Sequence, residues 1–223
     1  GILVTLPVLF SACVAVLLSG LGVLLLAVAR APGWHNARVF AVITLSAALY
    51  SVGNITASWH PLSDEMRAVG MRTSYFAASV FVAGWLLRAY GNRAQSLLMV
   101  PPWVRAWAIA LLTLGLVAVV YPAAYLDGSF TELTVEWAGA RYRFATVKPL
   151  GSVVAFLYLA SIAVTSTRLL SRRYAKGRLR WEYAASFVLF FVACTVEVLV
   201  TTRVIEFPFV ADIGFLALVL PMS

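Results

Sequence analysis

The chain has 223 residues, of which 62% are hydrophobic and only 12% charged, and its mean hydropathy is +0.92. Soluble domains carry roughly twice that share of charge, and here the apolar residues come in long runs, so a water-soluble core is excluded. The formal charge of +8 does not mark a nucleic-acid binder, because the basic residues are spread over loops without a nucleic-acid-binding signature; attraction to anionic membrane lipid accounts for them.

A membrane-crossing helix needs about 20 apolar residues. In chain order the sequence predicts helices over Ile2–Ala29, Val39–Trp59, Met66–Leu87, Val104–Leu126, Pro149–Leu170, Tyr183–Ile205 and Pro208–Met222. The expected fold class is an all-α membrane protein, a seven-transmembrane helix bundle that forms one domain over residues 1–223. The first run is as long as a full span and lacks a basic leader, unlike a cleaved signal peptide. Cys13 and Cys194 fall inside apolar helices and read as small core residues rather than a disulfide.

The connections alternate in charge. Arg30 and Arg38, then Arg88, Arg93 and Arg105, then the six basic residues of Arg168–Arg180 fall on one side, whereas Asp64, Glu65, Asp127, Glu132, Glu136 and Glu206 fall on the other. Lys and Arg are retained on the cytoplasmic side, so the expected N-terminus is outside and the C-terminus inside. Trp34, Trp59, Trp103, Trp107, Trp137 and Trp181 lie near helix ends or in a loop, as interface anchors do; Trp85 is deeper. Ser96–Trp103 reads as an interfacial stretch on the inner side. Helix 7 is short, since 15 residues rise only about 22 Å against a hydrocarbon core of about 30 Å. The chain stops at Pro221-Met222-Ser223 without a basic anchor, and a cytoplasmic continuation is expected.

Between helices 4 and 5, Phe130–Trp137 and Arg141–Phe144 alternate polar and apolar residues around Ala138-Gly-Ala140, which predicts a β-hairpin at about 130–146. Glu132 and Glu136 are expected to face Arg143 and Arg141 across the strands. Leu133, Val135, Trp137, Tyr142 and Phe144 form an apolar face that fits a lid over the outer mouth of the bundle, or equally a passive loop-stiffening hairpin.

Ionisable side chains within a span cost about 2.5–3.5 kcal/mol on insertion scales. Asn54, Arg72, Glu197 and Asp212 share a depth about 6–12 Å below the outer surface. Ser51 and Ser58, Tyr75 and Phe76, and Cys194 and Thr201 neighbour them at helical spacing. The functional reading is a ligand pocket with Arg72 as cationic anchor and Glu197 and Asp212 as acceptors; the structural one is an internal ion pair that fixes helix packing. Arg203, near the outer boundary, reads as a snorkelling residue.

Catalytic chemistry has little to stand on. His35 and His60 are expected on opposite faces of the membrane, no metal-ligand cluster appears, and no Ser-His or Cys-His pair falls at one depth. No lysine lies deep in the last helix for a retinal Schiff base. No cofactor, metal or catalytic residue is expected in this segment.

The chain resembles the N-terminal seven-transmembrane sensor region of bacterial histidine kinases and related signalling proteins. The resemblance rests on the seven spans with an outer N-terminus, Ala48-Leu49-Tyr50-Ser51, Arg88-Ala-Tyr-Gly-Asn-Arg93, the hairpin after helix 4, and Phe207-Pro208-Phe209 with Ile213-Gly214-Phe215. It implies a multi-pass protein of the bacterial inner membrane, a homodimer, and a cytoplasmic output domain in the same chain. The expected function is sensing of a small-molecule or lipid-like ligand, relayed inward by helix 7. Ala15, Ser19, Gly20 and Gly22 on helix 1 hint at a close helix contact. The alternatives are a small transporter, an intramembrane enzyme using Glu197 or Asp212, and a structural anchor that dimerises a cytoplasmic domain.

Overall fold

The computed structural model describes residues 5–34, 37–91, 100–177 and 180–218. Among these are helices α1 (Leu6–Val28), α2 (Ala37–Ser58), α3 (Asp64–Tyr90), α4 (Pro102–Val120), α5 (Pro149–Ala175), α6 (Trp181–Thr201) and α7 (Ala211–Ala217), with strands β1 (Leu126–Val135) and β2 (Ala140–Val147) between α4 and α5. Helices α1, α2, α4, α5 and α6 are long and apolar enough to cross a membrane, the make-up of a multi-pass membrane protein.

Local chemistry sets most boundaries. Ser63 caps α3 by accepting the Met66 N–H at 3.4 Å, and Asp64 and Glu65 in the first turn suit the positive end of the helix. Pro149 opens α5 at a position where a missing N–H costs nothing. Helix α4 was expected to reach Leu126 but stops at Val120, because Pro122 cannot continue it and Leu126 already begins β1. Helix α6 ends at Thr201 rather than Ile205: Arg203 adopts a left-handed φ of 63°, and the Val204 N–H turns back to the Leu199 carbonyl at 2.8 Å. Residues 207–210 form no regular structure, and Val210, at φ −127° and ψ 2°, is not helical, so α7 starts at Ala211 rather than Pro208. The ends expected at Ile2 and Met222, His35, and the first half of the Ser96–Trp103 stretch lie outside the described residues.

Helix α3 is the centre of the bundle, packed against α2, α4, α5 and the hairpin. This position explains its many small residues: bilayer helices associate by close backbone approach rather than by hydrophobicity. A Cβ on Gly53 would stand 3.0 Å from the Gly70 carbonyl oxygen of α3. On α1, Ala15 and Gly22 are buried, Gly22 facing Leu45 of α2, while Ser19 and Gly20 are exposed. That small-residue run therefore serves in part a contact within the chain. Cys13 is exposed, correcting its reading as a core residue.

An aromatic layer fills the middle. Trp85 contacts Phe40, Phe81 and Phe187, and Phe81 also contacts Phe190 and Phe215. One end of the bundle carries the basic loops: Arg172 donates to the Gly91 carbonyl at 3.4 Å, and Arg168 lies over the Tyr90 ring. Glu182, in the first turn of α6, is an acidic residue at that same end.

The hairpin sits at the other end. Glu132 pairs with Arg143 as expected and their side chains form an ion pair of 2.5 Å. Arg141 faces Thr134 instead of Glu136, which falls in the helical turn Glu136–Ala138 between the strands. Leu133, Val135, Tyr142 and Phe144 are buried against Ala57, Val200 and Phe209. Trp137 is 70% exposed and rests only its ring on Phe207. Arg203 does not snorkel freely; it hydrogen-bonds Thr131 and Thr146 of the hairpin.

Candidate functional site

Beneath the hairpin lies a cavity of about 110 Å³, measured by the space open to the centre of a water molecule. One water needs about 10–15 Å³ on that scale, so the space suits a small molecule or part of a larger one. Helix α2 contributes Tyr50, Gly53, Asn54 and Ala57, one face at i, i+3, i+4 and i+7. Helix α3 contributes Arg67, Ser74, Tyr75 and Phe81; α5 contributes Ala155, Tyr158, Leu159 and Ile162; α6 contributes Phe190, Cys194, Glu197, Val198 and Thr201. Phe144 of β2 and Phe209 close the hairpin end. The walls are mostly apolar with a few polar groups, the usual make-up of a ligand site.

Glu197 is the polar focus and is 3% exposed. Its Oε2 accepts the backbone N–H of Val210 at 2.8 Å and of Ala211 at 3.1 Å, tying α6 to the start of α7. Its Oε1 receives only a long contact of 3.4 Å from the Tyr50 hydroxyl. Asn54 Nδ2 makes no well-formed hydrogen bond although its side chain interacts with both Glu197 and Asp212, and the Tyr158 hydroxyl, beside Ser79, makes none either. Both side chains are buried. Buried polar groups are nearly always satisfied, so these two, with the Nε of Arg67, which also lines the cavity, are the groups a guest would complete.

Asp212 neighbours the cavity without lining it. Its two oxygens accept hydrogen bonds of 2.6 Å from Ser11 of α1 and Ser51 of α2. Ser51 is therefore a packing residue rather than a pocket residue, and Ser58 bonds back to the Asn54 carbonyl.

The expected cationic anchor is elsewhere. Arg72 does not line the cavity and forms no ion pair with Glu197 or Asp212, so the internal ion pair is not formed either; the ion pairs among the described residues join Asp64, Arg67, Arg143 and Glu132. The buried arginine is Arg67. It donates to five carbonyls, those of Thr56, Ala57, Trp59 and His60 at the end of α2 and of Arg143 on β2, at 3.0–3.3 Å. A helix end leaves its last carbonyls unpaired, and a planar guanidinium can serve several at once. Phe76 faces α4, its Cα lying 3.3 Å from a Cβ built on Gly115, and also misses the cavity. Of the residues singled out in the sequence, Asn54, Tyr75, Glu197 and Thr201 line the cavity.

Sequence reasoning missed Arg67, Tyr50, Tyr158 and Phe209. Tyr50 carried a usable signal, one helical turn before Asn54. Among the described residues no group of His, Cys, Asp and Glu is arranged to hold a metal ion. No protein-family model and no curated protein matches the chain.

Proposed function

We propose that this chain is the membrane sensor domain of a bacterial signal-transduction protein, with a small-molecule or lipid-like ligand bound in the cavity beneath the hairpin. In this reading all seven helices enter the inner membrane, with the hairpin end outside and the basic end in the cytoplasm. The domain works as a homodimer and passes its signal to a cytoplasmic output domain of the same chain, as the resemblance to histidine-kinase sensor regions implies.

One observation carries the proposal. Glu197 presents one oxygen to the cavity and holds the start of α7 with the other. A ligand that bonds Oε1 shares electron density with Oε2 and alters its grip on Val210 and Ala211. Phe209, one residue before this anchor, stacks on Tyr142 and Phe144 of the hairpin at 4.6 and 5.5 Å. Ligand, hairpin and α7 thus meet at one point. A shift follows only if the ligand binds the two positions of α7 with different affinity.

Phe81, Phe190 and Phe215 of the aromatic layer floor the cavity and speak for a receptor rather than a transporter, which needs a polar path onward. The test is thermal unfolding of the protein in nanodiscs with fractions of a bacterial lipid extract. A saturable rise in midpoint is expected, absent in the cavity-filling variant Ala78→Phe. Solute uptake by proteoliposomes without any saturable stabilisation would favour the transporter.

A further inference from the structure

The cavity's walls differ in how they are closed. Phe144, Phe209 and Arg67 cover the hairpin end, the aromatic layer covers the floor, and α2 and α3 pack closely along one side. Toward α5 and α6 the lining includes partly exposed residues, Ala155 and Leu159 on α5 and Cys194 and Val198 on α6, beside the buried Tyr158, Ile162 and Phe190. Nearer the basic end Ile162, Thr165, Phe187 and Phe190 line a second, much smaller cavity. Partly exposed lining residues on both helices make this the side from which entry out of the lipid asks least rearrangement.

The polar groups define what fits. Oε1 of Glu197 accepts only the long 3.4 Å contact from Tyr50, and the neighbouring Nδ2 of Asn54, on a residue 6% exposed, interacts with the Glu197 and Asp212 carboxyls without a well-formed hydrogen bond. A hydroxyl is the simplest group that satisfies both, because it donates one hydrogen and accepts another. An ammonium can only donate, and a carboxylate can only accept while meeting Glu197 with like charge.

Resting on the receptor reading above, we infer that the ligand is an amphipathic alcohol that enters between α5 and α6 from the lipid, its hydroxyl bridging Glu197 Oε1 and Asn54 Nδ2. The apolar body lies against Phe81, Phe190 and Ile162, and the rest of the chain trails between the two helices into the bilayer. This explains why the lining is overwhelmingly apolar yet holds a buried donor and a buried acceptor without close partners at one place.

The experiment is saturable binding of radiolabelled n-octanol, n-octylamine and octanoate to the protein in nanodiscs, counted above empty nanodiscs. Octanol is expected to bind at least about tenfold more tightly than octanoate, the factor of one lost charge-assisted hydrogen bond, and more tightly than octylamine. In Glu197→Gln the amide oxygen keeps the Val210 and Ala211 N–H groups while its NH2 faces the cavity, so the preference turns toward octanoate. Ala155→Phe, which narrows that passage at a partly exposed position, weakens octanol binding.

Equal binding of the three probes by the wild-type protein overturns the inference, and that arm requires no variant to fold. Tighter binding of octylamine than octanol overturns the hydroxyl assignment, and an Ala155→Phe variant that binds normally overturns the sideways entry. If lipid extract stabilises the protein while octanol does not bind, the alcohol is wrong and the receptor reading stands. If no extract fraction stabilises it either, both fall.

Discussion

Ser11, near the start of α1, donates a hydrogen bond of 2.6 Å to Asp212 in the first turn of α7, joining residues 201 positions apart. Ser51 of α2 serves the second oxygen at the same distance. With Glu197 holding Val210 and Ala211, the beginning of α7 is fixed by α1, α2 and α6 together. Ser11→Ala or Ser51→Ala leaves a buried carboxylate oxygen without its donor, and each should cost about 1–3 kcal/mol. Because both act on one carboxylate, the double variant should depart from additivity. Unfolding titrations in mixed micelles check this.

Arg67 and Arg72 should part company on substitution. A lysine at Arg67 has three donors for five carbonyls and no planar fork, so Arg67→Lys should destabilise the protein by about 1–3 kcal/mol and free β2 from the end of α2. Arg72→Lys leaves that network intact and should cost markedly less. The same titrations separate the two, and amide exchange on β2 reports the hairpin directly.

The hairpin should also respond to acid. Asp64 accepts two hydrogen bonds from Arg143, at 2.9 and 2.8 Å, and this pairing holds its carboxyl below the usual value. A depressed folded value means that the contribution is complete above the unfolded value of about 4 and is lost as pH falls through the lower folded value. Protection of β2 amides, taken relative to the intrinsic exchange rate at each pH, should therefore be unchanged between about pH 7 and pH 5 and fall below about pH 4. Asp64→Asn should remove most of that dependence.

Much of this architecture was legible in the residues. Apolar runs located the helices, period-two alternation located the hairpin, and Glu132 was matched to Arg143 because strand pairing is short-ranged and regular. Glu197, Asn54 and Asp212 could be placed at one depth by counting along helices. Phase around a helix was harder. Arg67 and Arg72 lie within the same two turns of α3 but about 140° apart at 100° per residue, and only the end of α2 packing beside it selects Arg67. The same holds for Tyr75, which reaches the Gly151 carbonyl at 3.0 Å, against Phe76, turned toward α4. Phe209 was hidden because it belongs to an irregular segment whose partners, Tyr142 and Phe144, lie more than sixty residues earlier in the sequence.

The close approach of α2 and α3 gives a further expectation. A side chain at Gly53 meets the backbone oxygen of Gly70, which cannot rotate away as a side chain can. Gly53→Val should push the helices apart at a cost of about 1–3 kcal/mol. Gly20→Val, where a Cβ meets nothing within 4 Å, should be nearly neutral in the same unfolding assay.

The most direct test of the sensing account is amide exchange at Val210 and Ala211, recorded in nanodiscs with and without a lipid fraction that raises the unfolding midpoint. If Glu197 couples the cavity to α7, the fraction should change exchange at these two amides several-fold in the wild-type protein and leave Glu197→Ala unchanged. Stabilisation of the wild-type protein with unaltered exchange at both amides would contradict the account, because the ligand would then be bound without reaching α7.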